Sequence, residues 1–313
     1  MNDTRVLFIS GVGRSGSTLV ERALGTDPRL VVLGEVTHLW ERSLLMDELC
    51  GCGEAFSQCP FWTEVGERAF GGWHTLDAER IVATRARLDR VSRTPRLLYT
   101  LGGRAYRDEV RWYGSLYAAI YRAAAEVSQA EVVVDSSKQP SIPYVLTHQG
   151  SLDVRVLHCV RDSRAVAYSW TKTVSRPEAQ VESFGTMTRY SPAKLSVVWM
   201  VHNLSSLATR LTGQPVTTLR YEDWVRQPRA ATSRILLACG LEPTPAEAIS
   251  DSTVRLVTNH TCSGNPLRFR TGDVDVRLDE RWREDLPTRS NRLVTTMTLP
   301  LLRLFDYVGR RHD

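Results

Sequence analysis

The apolar run Val6–Ser10 leads into Gly11-Val12-Gly13-Arg14-Ser15-Gly16-Ser17-Thr18. A strand that turns through glycines into a helix beginning near Ser17 gathers backbone N–H groups and the positive end of a helix dipole around one point, which makes a site for an anion. Gly11 and Gly16 keep the spacing of a nucleoside-triphosphate loop, G-x-x-x-x-G-K-[ST], but Ser17 stands in the lysine position. That lysine reaches the β- and γ-phosphates, and the hydroxyl after it ligates magnesium. Its loss argues against a metal-bound triphosphate, while Arg14, three residues earlier, returns a positive charge to the loop.

Arg14-Ser15-Gly16-Ser17-Thr18 resembles the 5′-phosphosulfate loop of sulfotransferases that use 3′-phosphoadenosine 5′-phosphosulfate (PAPS), where a basic residue sits at the place of Arg14. The resemblance is to bacterial-type enzymes of small molecules and carbohydrates. It implies that Gly13, Arg14, Ser15, Gly16, Ser17 and Thr18 grip a 5′-phosphate bearing sulfate, with no metal required and adenosine 3′,5′-bisphosphate as product. Gly13 replaces a proline common in the family, which loosens the turn without removing a ligand. Arg161 and Ser169, in Val160-Arg161-Asp162-Ser163-Arg164-Ala165-Val166-Ala167-Tyr168-Ser169, are similar to the family's 3′-phosphate motif. A strand-end guanidinium and a hydroxyl two helical turns in can converge on a second phosphate. Arg220-Tyr221-Glu222-Asp223-Trp224 resembles a downstream family segment and is read mainly as architecture. Gly264-Asn265-Pro266-Leu267-Arg268-Phe269-Arg270 with Gly272 resembles a late basic loop that closes over the nucleotide, implying Arg268 or Arg270 at the 3′-phosphate.

Sulfuryl transfer needs a proton taken from the acceptor hydroxyl and a cation against the departing oxygen. Gly34-Glu35 follows the run LVVL, so Glu35 is expected at the carboxyl edge of the second strand, and GEVTHLW resembles the segment of related sulfotransferases whose glutamate is the base. The alternative base is His38. Lys138 closes Val134-Asp135-Ser136-Ser137-Lys138, and a family basic residue at a similar place implies that it, with Arg14, opposes the leaving-group charge. His158 lies within a strand and reads as core.

Short β-branched runs alternate with amphipathic segments of helical length, which predicts an α/β fold: an open parallel β-sheet flanked by helices, P-loop-like, with a largely helical cap. Strands are predicted over Val6–Ser10, Leu30–Leu33, Glu131–Val134, Val154–Val160 and Val216–Leu219, and helices over Ser17–Gly25, Thr37–Asp47, Pro140–His148, Ser163–Thr173, Pro192–Thr212 and Pro228–Cys239. Residues 1–313 read as one domain, with an acceptor-binding insertion at about 37–130, too long for an ordinary crossover. Tyr113, Tyr117 and Tyr121 share a helix face there, packing in the core or walling the acceptor pocket.

Net charge is +5, and only Lys138, Lys172 and Lys194 interrupt the arginine bias, with no basic run that would mark a nucleic-acid partner. No apolar stretch is long enough to span a membrane, and no leader pattern opens the chain, so a cytoplasmic enzyme without membrane insertion is expected. The implied acceptor is a small-molecule, glycoside or lipid-like hydroxyl, attacked by direct in-line transfer. A P-loop kinase or NTPase, with VVVD imitating its acidic strand, and a non-catalytic nucleotide-binding protein are the rival readings. Cys50, Cys52 and Cys59 cluster, but no neighbouring C-x-x-C or H-x-x-x-H supplies a fourth ligand, so they read as free thiols or a local disulfide and no metal is expected. Cys159, Cys239 and Cys262 read as structural.

Overall fold

The computed structural model describes residues 3–98, 103–172, 190–244 and 246–309. In chain order it holds β1 (Thr4–Gly11), α1 (Ser17–Leu24), β2 (Leu30–Val32), α2 (Pro60–Phe70), α3 (Ala78–Leu88), α4 (Thr94–Leu98), α5 (Arg104–Ser128) and β3 (Val132–Lys138). There follow α6 (Ser141–Leu146), β4 (Leu152–Val160), α7 (Ser163–Thr171), α8 (Pro192–Ala208), β5 (Val216–Arg220), α9 (Tyr221–Arg226) and α10 (Pro228–Ala238). The antiparallel pair β6 (Thr253–Leu256) and β7 (Gly272–Asp275), then α11 (Trp282–Asp285) and α12 (Thr288–Leu304), complete the order.

Strands β1 to β5 form one parallel sheet in the order β2-β3-β1-β4-β5. All five predicted strands are present. Helices cover both faces, so the central strand reads as a continuous apolar run rather than an alternating one. Its period of two nevertheless decides the partners. Val6 and Phe8 pack with Val133 into a core shared with α2 and α5. Leu7 and Ile9 join Val132 and Val134 in a second core under α1, α9 and α10. A third core, around Trp199, joins α7, α8 and α12.

Residues 37–130 are largely helical, as predicted, but α5 packs on β1 and β3 as the crossover that covers one sheet face. This overturns the pocket-wall reading of its tyrosines. Tyr113, Tyr117 and Tyr121 are fully buried, with Tyr113 and Tyr117 hydroxyls 2.9 Å apart and Tyr121 donating to Asp135 Oδ2 at 2.5 Å. The helix predicted over Thr37–Asp47 is instead a 3₁₀ turn, Val36–His38, and a π-helix, Leu39–Leu45. The widened coil lets Leu39 and Trp40 stay in the core while Glu41 accepts from Arg85 and Arg42 donates to Ser263 Oγ. No helix among the described residues is long and apolar enough to cross a membrane.

Candidate active site

Every strand of the sheet ends at one cleft of about 370 Å³. The loop after β1 contributes Gly13, Arg14 and Gly16–Thr18, β2 is followed by Glu35, β3 ends in Lys138, β4 is followed by Arg161, and β5 by Tyr221. Ser169 and Trp170 of α7, with Asn265 and Leu267 of the late loop, complete the wall. This is the crevice that an open parallel sheet presents at its carboxyl edge.

The loop's geometry depends on its glycines. Gly16 has φ 82°, and a Cβ there would fall within the Tyr221 ring, so only glycine lets the turn lie on that ring. Arg14 itself takes φ 73°. Its carbonyl accepts from Arg161 Nη1 at 3.1 Å, and its guanidinium lies 5.6 Å from the Trp170 ring centroid. The Trp170 indole donates to Gly13 O at 3.1 Å. These contacts join the turn after β1 to the turn and helix after β4, so Arg14, Arg161 and Ser169 border the same space. Ser15 Oγ is buried and has no hydrogen-bond partner among the described residues. The helix behind the loop starts at Ser17 without a side-chain cap, leaving its first amides available to an anion.

Glu35 and Lys138 form the densest charge contact of the cleft. Lys138 Nζ lies 2.5 Å from Glu35 Oε1, with both side chains largely but not wholly covered. A register shift between β1 and β3 sets Lys138 opposite Ser10, and Lys138 adopts φ 64° as it does so. His38 Nε2 lies 3.5 Å from Glu35 Oε2. On its other side the His38 ring meets Arg85 Nη2 at 3.1 Å from Nδ1. Arginine can only donate, so Nδ1 accepts and the N–H of Nε2 faces the carboxylate. Glu35 is thus oriented by a cation on one oxygen and a ring donor on the other.

Two buried carboxylates hold this edge in shape. Glu21 of α1 accepts from Gly34 N at 2.8 Å and Ser136 Oγ at 2.6 Å, clamping the ends of β2 and β3 against the loop helix. Burial pushes its carboxyl up to about 7. Asp135 accepts from Ser137 N at 2.7 Å, Ser137 Oγ and Tyr121, and burial raises it to about 6. It points into the core rather than at the loop, which removes the acidic-strand feature that a P-loop kinase would use. His158 is also core, bonded to Asn203 and held down at about 4 by burial.

Two predicted nucleotide ligands lie elsewhere. Arg268 is buried and donates to Thr261 O and Leu49 O, both at 2.7 Å, so its guanidinium fastens the late loop instead of facing the cleft. Arg270 is exposed outside the cleft, and its carbonyl accepts from Arg22. From the same loop Asn265 and Leu267 line the wall, although sequence reasoning passed over them. Tyr221 was missed as well, because the segment around it reads as architecture. The glycine-rich turn that must rest on something flat was the available signal. The premise that Cys50, Cys52 and Cys59 lack a fourth partner is also overturned: His260, two hundred residues later, lies beside them.

A profile described as the sulfotransferase family matches residues 7–245. Among solved structures the chain is similar to the sulfotransferase domain from the Synechococcus PCC 7002 olefin synthase, at 21% identity over 99% of this chain and 97% of that one, with a TM-score of 0.50. It is also similar to the sulfotransferase domain from the curacin biosynthetic pathway, at 15% identity over 95% of this chain and 99% of that one, with a TM-score of 0.47. The first likeness speaks for the fold. A search of curated protein sequences returns no match.

Proposed function

The chain belongs to the sulfotransferase family, and on that premise we propose that it moves a sulfuryl group from PAPS to a hydroxyl of a small-molecule, glycoside or lipid-like acceptor by direct in-line transfer. The observation that carries this reading is the meeting of the loop Gly13–Thr18, Glu35, Lys138, Arg161 and Ser169 in one cleft. The loop amides, the α1 N-terminus and Arg14 suit a 5′-phosphosulfate, while Arg161 and Ser169 suit a second phosphate. Bound there, PAPS would supply the sulfuryl group.

The chain's own groups then divide the work. Glu35 takes the proton of the acceptor hydroxyl as the new O–S bond forms. Lys138 and Arg14 oppose the negative charge that collects on the phosphate oxygen when the old S–O bond breaks. Because Lys138 already touches Glu35, an anion entering the cleft competes with the carboxylate for the ammonium. His38, held with its N–H toward Glu35, orients the base and is not free at that nitrogen to act as one. The acceptor would approach beside Glu35, on the side where His38 meets its Oε2.

Calorimetry with adenosine 3′,5′-bisphosphate and, separately, magnesium ATP tests the reading. Tight bisphosphate binding that weakens about 10- to 100-fold in Arg161→Ala is expected. A preference for magnesium ATP, or indifference to Arg161, overturns it.

A further inference from the structure

Outside the cleft, the described residues contain one group of side chains with metal-ligand chemistry. Cys50, Cys52, Cys59 and His260 each present one ligand atom, and all four atoms lie within 4.8 Å of one another. Cys52 and Cys59 sulfurs are 3.8 Å apart, and His260 Nδ1 lies 3.3 Å from Cys59 Sγ and 3.9 Å from Cys50 Sγ. A zinc ion with Zn–S near 2.3 Å and Zn–N near 2.05 Å sets the edges of its tetrahedron at about 3.8 Å for S···S and about 3.6 Å for S···N. The S···S separation equals its edge, and the two S···N separations lie on either side of theirs. We propose that these four residues bind a zinc-type divalent cation as a closed structural site that staples the late loop to the insertion between β2 and β3.

The donor set names the metal class. Three thiolates and one imidazole suit zinc over the hard cations magnesium and calcium, and four protein ligands leave no open position for a substrate. Metal binding displaces the thiol protons. The surroundings hold each ligand in place. Cys59 immediately precedes the first turn of α2, which fixes its backbone at the start of that helix. The His260 ring stacks on Phe61, with centroids 4.9 Å apart and planes 17° apart, and Trp62 Nε1 donates to His260 O at 2.7 Å. Gly51, between two of the cysteines, donates its N–H to Thr261 O, and a Cβ there would strike Asn259. The cysteine turn and the histidine loop therefore lie backbone against backbone before any ion is considered.

The staple has a functional address. The loop that carries His260 continues through Cys262, whose N–H bonds Leu33 O, and Ser263, whose carbonyl accepts from Glu35 N at 3.1 Å, to the wall residues Asn265 and Leu267. An ion at the cysteines would thus position the far wall of the cleft without touching the reacting atoms.

Metal content of the full-length protein, expressed with zinc supplementation and dialysed without chelator, tests this directly. About one zinc ion per chain is expected, and replacement by cobalt should give the visible spectrum of a tetrahedral ion with thiolate charge-transfer bands. Cys59→Ser and His260→Ala should lose the metal, while Cys239→Ser, remote from the group, should retain it. Metal below about a tenth of an ion per chain even after incubation with excess zinc overturns the proposal. So does a Cys52–Cys59 disulfide in protein purified without oxidant, a cobalt spectrum lacking thiolate bands, or metal retained by both variants. If those variants prove insoluble, the wild-type stoichiometry and the cobalt spectrum decide the matter alone. None of these readouts depends on transfer activity.

Discussion

Glu35, just after β2, and Asp135, within the neighbouring β3, are two carboxylates whose surroundings differ in kind. Glu35 faces a cleft, with an ammonium at one oxygen and a ring donor near the other. Asp135 is sealed in the core, and its donors among the described residues are neutral: backbone amides, a serine and a tyrosine. A cation keeps a carboxylate charged and leaves it responsive when another anion arrives. Neutral donors in a buried site hold the shape and let burial raise the proton affinity. The difference separates the group proposed for proton transfer from one that holds the sheet edge in shape.

Glu35→Gln breaks the comparison most sharply. Turnover with PAPS and a working acceptor is expected to fall about 10²- to 10⁴-fold, with the melting temperature unchanged; equal loss of stability would make Glu35 another support. Arg161→Ala is the next largest effect, weakening adenosine 3′,5′-bisphosphate about 10- to 100-fold by titration, since a hydrogen bond to a charged group contributes about 1.5–3 kcal/mol. Asp135→Asn should show the converse pattern. Loss of a buried acceptor is expected to lower unfolding free energy by about 1–3 kcal/mol in urea, while bisphosphate affinity holds; a variant of native stability with lost affinity would reverse the assignment.

Glu21→Gln refines the same contrast through pH. Burial raises the Glu21 carboxyl from 4.5 to about 7, so its favourable contribution is fully present below about 4.5 and is lost as pH rises through about 7. The Gln variant has no such proton to lose. Its stability relative to wild type should therefore grow across that window by up to about 1.4 kcal/mol per pH unit. Paired denaturation curves at several pH values that stay parallel would show that Glu21 is not the titrating group.

The sheet was legible because strands buried on both faces must be largely apolar: Val6–Ile9 is so throughout, and Val154–Val160 departs from it only at Arg155 and His158. The loop was legible for a local reason too: Gly11, Arg14 and Gly16 specify their turn within eight residues. What resisted reading depends on tertiary partners. Arg268 carries the charge of a phosphate ligand, and only the carbonyls of Leu49 and Thr261 reveal that it is a buried tie. His260 stands two hundred residues from the cysteines it joins. Tyr113 and Tyr117 have the spacing of a helix face, but spacing alone could not say whether that face meets a ligand or a sheet.

The strand order β2-β3-β1-β4-β5 places the first-made strand at the centre. Its glycine loop is made before the rest of the cleft, which has no floor until Tyr221 is made and no far wall until Asn265 and Leu267 follow. Long-range pairing of this kind is slow, because distant segments must meet before their contacts contribute. The proposed nucleotide cleft is therefore complete only after these distant segments have packed, and a bound bisphosphate would mark molecules in which they have.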